Sequence, residues 1–97
     1  MTTIRKLQAM PYAQAHVEFT CGDVYLFSYT TCVAAIIGGW LEIYGLYSAT
    51  TRRHIGAFMR EFVTWPNGES GCYQDAKKLF ENKFRMNIET GEVEEVN

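Results

Sequence analysis

Between Ala15 and Tyr47 apolar and β-branched residues crowd into three runs, AHVEFTC, VYLFSYTTCVAAII and WLEIYGLY, separated by Gly22-Asp23 and Gly38-Gly39. Two-residue breaks containing glycine join neighbouring strands, because glycine adopts the positive φ of a tight hairpin turn. The pattern predicts an antiparallel meander of three strands over about 15–21, 24–37 and 40–47. The middle run is long for one strand, so a bend is expected near Ser28–Thr31. With two-residue turns Cys21 faces Val24 and Ile37 faces Trp40. Alternation then collects Val17, Phe19, Cys21, Val24, Leu26, Cys32, Ala34, Ile36, Leu41 and Ile43 on an aliphatic core face. The other face takes His16, Glu18, Thr20, Tyr25, Phe27, Tyr29, Thr31, Val33, Ile37, Trp40, Glu42 and Tyr44.

The period changes after Ser48. Ile55, Phe58, Met59 and Phe62 stand at i, i+3, i+4 and i+7, one apolar stripe of a helix capped by Ser48 or Thr50. Pro66-Asn67-Gly68 ends it. A second helix over about 70–82, capped by Ser70, presents Tyr73, Ala76, Lys77 and Phe80 on one side with Leu79 beside them. The fold class is α+β: a three-stranded meander followed by two helices packed on one face, with a short C-terminal strand or hairpin around Thr90-Gly91. Within a single domain of 97 residues, 1–11 reads as an arm or short helix, 12–88 as the core and 89–97 as an acidic tail open to fraying.

Composition sharpens this picture. With 47% hydrophobic and 14% aromatic residues the chain can bury a core and is not disordered. Net charge is −2, with Glu89, Glu92, Glu94 and Glu95 following the last base, Arg85, so bulk charge does not point to nucleic acid. Cys21, Cys32 and Cys72 are odd in number and lack a C-x-x-C pair. They read as buried or near-buried reduced thiols in a cytoplasmic protein. The N-terminus has no signal-peptide pattern, and the longest apolar run is too short to cross a bilayer.

No phosphate-binding glycine motif is present, and His16 and His54 are too far apart in sequence for a metal pattern, so no cofactor or metal is expected. One candidate chemistry pairs a hydroxyl of Ser48, Thr50 or Thr51 with the imidazole of His54, oriented by Glu42. A His beside hydroxyls in a first helical turn also serves as a capping and packing group, and no catalytic residue is assigned. A second candidate is the basic helix start, Arg52 and Arg53 with Arg60 two turns on, suited to a phosphate or an acidic partner. A third is the aromatic face of Tyr25, Phe27, Tyr29, Trp40 and Tyr44. Exposed aromatic surface on a small domain marks a contact with a protein partner or a second copy of the chain, unless other elements cover it.

The segments FSYTTCVAAI and YGLYSATTRRHIGAFMREF carry a further signal. Their pattern, S-Y-x-T-x-V-A, a hairpin, then Y-S-x-T-T-x-x-H, resembles that of small bacteriophage and prophage proteins sharing a DUF8033-like domain of unknown function. The matching positions are Ser28, Tyr29, Thr31, Val33, Ala34, Tyr47, Ser48, Thr50, Thr51 and His54, within residues 24–62. The resemblance implies a phage-encoded protein made in the cytoplasm of a bacterial host. Proteins of that class are accessory or host-takeover factors, including inhibitors of host defence. The expected function is therefore non-enzymatic protein–protein contact, with a nucleic-acid binder and a small enzyme centred on His54 as alternatives. The polar motif positions also have a purely architectural role open to them, fixing the corner between strand and helix. In the expected register Tyr29 and Thr31 face away from Tyr47, so gathering them needs a bend near Thr30.

Overall fold

The computed structural model describes residues 2–11 and 13–96. Met1, Tyr12 and Asn97, which bound the expected arm, core and tail, lie outside the described residues. Seven strands form one antiparallel sheet whose spatial order is their chain order. They are β1 (Thr2–Arg5), β2 (Ala15–Thr20), β3 (Asp23–Ser28), β4 (Thr31–Ile37), β5 (Trp40–Ile43), β6 (Phe84–Asn87) and β7 (Val93–Glu95). Two helices, α1 (Ala49–Phe62) and α2 (Tyr73–Glu81), lie between β5 and β6 in the chain. The class is α+β, but the expected three-stranded meander is incorrect.

The four strands beyond that meander arise for different reasons, and two of them, β6 and β7, form the C-terminal hairpin expected around Thr90-Gly91. The long middle run is not bent but folded into the hairpin β3–β4, turning on Tyr29-Thr30, and Tyr29 stands at φ 57°. β1 is the edge strand paired with β2, and its Thr-Thr-Ile-Arg sequence has a single strong hydrophobe, too little to show alternation. Phe84–Asn87 pairs with β5, and the acidic end returns as β7, with Arg85 opposite Glu94. The Asn87 carboxamide oxygen accepts the N–H groups of Glu89 (2.9 Å) and Thr90 (3.1 Å) and so fixes that last turn.

Registers explain which side chains are buried. The turn after β2 is Cys21-Gly22 rather than Gly22-Asp23, so Phe19, not Cys21, faces Val24. That is a slip of two residues, which leaves each side chain on its expected face, whereas a slip of one would have exchanged the faces. Ile37 does face Trp40. In β4 one extra residue, Val33, sits between the pairs Leu26–Ala34 and Phe27–Cys32. This bulge sends Val33 into the core, fully buried, and pairs Cys32 with Phe27 on the open face, reversing both assignments.

Both helices cover one face of the sheet. Ser48 caps α1, its Oγ accepting the Thr51 N–H at 3.2 Å. Ile55, Phe58 and Met59 are fully buried against Leu26, Leu41 and Val17, and Leu7 enters the same core from the segment after β1. α2 starts after Cys72, not Ser70, because the Ser70 hydroxyl donates to the Arg60 carbonyl and the Asp75 carboxylate accepts the Cys72 N–H. The same carboxylate accepts the Trp65 indole N–H at 2.9 Å. Ala76 and Leu79 are the buried residues of α2, while Phe80 of the expected stripe is exposed. Cys21 and Cys72 are exposed rather than buried. No helix among the described residues is long and apolar enough to cross a membrane.

Candidate functional site

The two halves of the S-Y-x-T … Y-S-x-T-T-x-x-H pattern meet inside the protein. Ser28 ends β3 on the helix side of the sheet, and His54 lies in the second turn of α1; both are almost fully buried. The His54 Nδ1 and Ser28 Oγ share a hydrogen bond of 2.8 Å. Ser28 Oγ stands 3.4 Å from Thr51 Oγ1, which is 3.2 Å from Ser48 Oγ. The chain Ser48–Thr51–Ser28–His54 thus joins the helix cap to the last residue of β3. Hydroxyls donate and accept, so they can link such a relay without a buried charge. Thr50 is only half-buried and Thr31 is exposed; neither has a place in this relay.

Burial holds the His54 imidazole below its usual pKa of 6.5, keeping it neutral. The sign of the linkage follows. As pH falls through 6.5 the unfolded chain takes up a proton that the folded protein refuses. Stability therefore falls, by at most about 1.4 kcal/mol per pH unit, until the depressed folded pKa is reached. Urea unfolding at pH 7.5 and 5.5 will show this loss in the native chain and less of it in His54→Gln. Equal losses would disprove the assignment.

Ser28–His54 has the separation of a nucleophile and its base, but the pair is sealed. Ser28 is 3% and His54 1% exposed. Glu42, the expected orienting group, lies on the other face of the sheet, bonded to Arg85 and Tyr44. The relay acts as a strut.

What the strut holds is at the surface. Tyr29 directly follows Ser28, and Tyr47 directly precedes Ser48. Their side chains are 57% and 66% exposed, and both residues stand at positive φ, 57° and 40°. A bulky residue in that region costs about 1–2 kcal/mol. The Tyr29 ring leans on His54, with centroids 6.2 Å apart. Gly45 lies beneath Tyr47, where any Cβ would collide with the ring. A groove of about 530 Å³ leads away from Tyr29 and Thr30 past Gln14 and His16 to Lys6 and Ile4. The Tyr29-Thr30 hairpin turn replaces the expected bend, and the exposed Thr31 opens β4.

The aromatic sheet face is brought together only in part. Tyr25, Phe27 and Trp40 lie half-buried on the face that no helix covers, Tyr44 is exposed just beyond β5, and Tyr29 stands in the β3–β4 turn. Polar groups are woven through this face. His16 stacks on Phe27 at 5.0 Å and bonds Glu18, and Arg85 lies 4.7 Å from the Trp40 ring centre while bridging Glu42 (3.1 Å) and Glu94 (2.8 Å). Burial and the Glu42 carboxylate raise the Tyr44 pKa, so its hydroxyl stays a donor.

Arg52, Arg53 and Arg60 do converge. They line one groove of about 360 Å³ with Gly56, Met10 and Tyr73. Among the described residues no cluster of three or more His, Cys, Asp or Glu side chains is placed to hold a metal.

Ser28 and His54 belong to the same set of polar motif positions, but the candidate hydroxyl–imidazole chemistry pairs His54 with Ser48, Thr50 or Thr51, whereas the structure pairs it with Ser28. The parity of Ser28 was the available signal, because Ser28 follows Val24 and Leu26 on the core face, where a lone hydroxyl requires a buried partner. Gly45 carried no signal, because its role depends on the Tyr47 ring above it.

No curated protein and no solved structure matches the chain. A family model described as "Family of unknown function (DUF8033)" matches residues 2–85, from β1 through both helices into β6. That span contains the whole relay and both strained tyrosines, and the chain belongs to the DUF8033 family.

Proposed function

We propose that this is a non-enzymatic accessory protein of a bacteriophage, working in the bacterial cytoplasm by binding another protein through the Tyr29/Tyr47 rim. One observation carries the reading: two exposed tyrosines at positive φ flank the two ends of the buried relay, Tyr29 beside Ser28 and Tyr47 beside Ser48. Strain of this kind persists only where the surroundings impose it, and it clusters at binding sites. Tyrosine supplies large, amphipathic contact area at little entropic cost and is frequent among binding hot spots. The groove beside Tyr29 gives a partner side chain a place to seat. A host defence factor fits the same surface chemistry as a phage protein or a second copy of the chain.

The test is photo-crosslinking in bacterial cells, with p-benzoylphenylalanine placed at position 29, 47 or, as a control on exposed α2, 78. The expected result is a discrete adduct from 29 and 47 that is missing from 78; an adduct of twice the monomer mass would identify a second copy. Adducts that are absent, or the same at all three positions, would refute the proposal.

Strain makes a second prediction. Asn tolerates positive φ better than Tyr, so Tyr29→Asn/Tyr47→Asn leaves stability unchanged or raises it by up to about 1 kcal/mol, while abolishing the adduct. Gly45→Ala displaces only the exposed Tyr47 ring, so it weakens partner binding with little change in urea midpoint. A large loss of stability in either variant would show that the tyrosines serve the fold.

A further inference from the structure

A second surface lies on the outer side of α1, and it is independent of the tyrosine rim. Arg52, Arg53 and Arg60 are exposed, and none is in an ion pair among the described residues; the arginines that are paired there are Arg5 and Arg85. Their rows on the helix, 52–56–60 and 53–56–60, run along one side and meet at Gly56. Gly56 is buried and has no side chain, which makes a low floor between the arginines. Tyr73, the first residue of α2, forms the opposite wall, with Met10 closing the groove. Lys77 lies one turn beyond Tyr73 on the same side of α2. Arg52 closes the first turn of α1 and Arg53 opens the second, near the positive end of the helix dipole, where cations are mildly disfavoured. An anion in the groove relieves that repulsion.

We infer that this groove binds single-stranded nucleic acid, the arginines taking successive phosphates and Tyr73 stacking on a base. Guanidinium groups are the side chains suited to bidentate phosphate contact, and a tyrosine among them supplies the sequence-tolerant stacking that single strands use. An acidic peptide would satisfy the arginines but leave Tyr73 without a matching group. Duplex DNA is a poorer fit, because stacking on Tyr73 requires an unpaired base.

The experiment is fluorescence anisotropy of labelled 12-nucleotide DNA and RNA single strands, and of a labelled 12-residue polyglutamate, titrated with the full chain. Three phosphate contacts give a salt exponent of about −2, so affinity falls roughly 20-fold between 50 and 200 mM salt. In Arg52→Gln/Arg53→Gln/Arg60→Gln, binding is expected to drop at least tenfold with the circular dichroism unchanged, since all three side chains are exposed. Tyr73→Leu is expected to weaken binding severalfold and keep the salt exponent, because stacking releases no counterions. Tyr29→Asn/Tyr47→Asn is expected to bind oligonucleotide normally, so that failure here and failure of the rim are separate results. No oligonucleotide binding at 50 mM salt, undiminished binding by the triple glutamine variant, or tighter binding of polyglutamate would each overturn the inference; the last would reassign the groove to an acidic protein.

Discussion

Phe58→Ala is expected to lower stability by about 3–5 kcal/mol, the cost of deleting a fully buried aromatic ring and leaving a cavity. Phe58 is the largest fully buried side chain among the described residues, placed where α1 crosses the sheet and in contact with Phe62 at 5.1 Å between ring centres. Domains of this size hold only about 5–15 kcal/mol in total, so the variant stands at the edge of folding at 37 °C. Urea unfolding reads the effect as a lower midpoint with the slope preserved. A loss under 1 kcal/mol would mean that α1 is not anchored through this residue.

His54→Ala comes next, at about 2–4 kcal/mol. It removes a buried ring, which leaves a void, and it deprives the Ser28 hydroxyl of its 2.8 Å partner. Ser28→Ala costs less, about 1–3 kcal/mol, because it only strands the imidazole nitrogen. The double variant should cost less than the sum, since either change already breaks the same bond; a double-mutant cycle measures the difference. If the two losses simply add, the relay is a coincidence of position and not a connected strut. The same variants free Tyr29, whose ring rests on His54, so crosslinking from position 29 should fall even in molecules that remain folded.

Much of this arrangement was legible in the chain. Gly38-Gly39 marked a hairpin and fixed the facing of Ile37 and Trp40, and both glycines do stand at positive φ. The helical stripe of Ile55, Phe58 and Met59 was visible in its spacing. The turn at Tyr29-Thr30 was not, because tyrosine is a poor residue for positive φ and nothing local advertises it. The price of that turn is set by tertiary contacts through Ser28, which lie 23 and 26 residues away in Thr51 and His54. The bulge at Val33 was hidden for a related reason: a single extra residue leaves the apolar pattern intact while reversing which face Val33 and Cys32 take. The edge strands β1 and β7 are short and weakly apolar, and become strands only because a paired neighbour offers them a ladder. The three arginines were visible as a charge cluster, but the wall that Tyr73 gives them requires the packing of α2 on α1.

Strand order that follows chain order has a consequence for how the molecule is built. Residues 15–43 form four consecutive strands closed by two-residue turns, so this part of the sheet assembles from neighbours at small loop-closure cost. β6 must instead find β5 across both helices, residues 44–83, and it has only two paired residues there to hold it. Loop-closure cost therefore favours β2–β5 forming first, with α1 packing on them and β6–β7 joining last. The rim belongs to the early part: Tyr29 and Tyr47 acquire their strained geometry once α1 docks, before the acidic edge closes. An emerging chain would thus carry the proposed binding surface ahead of its complete sheet.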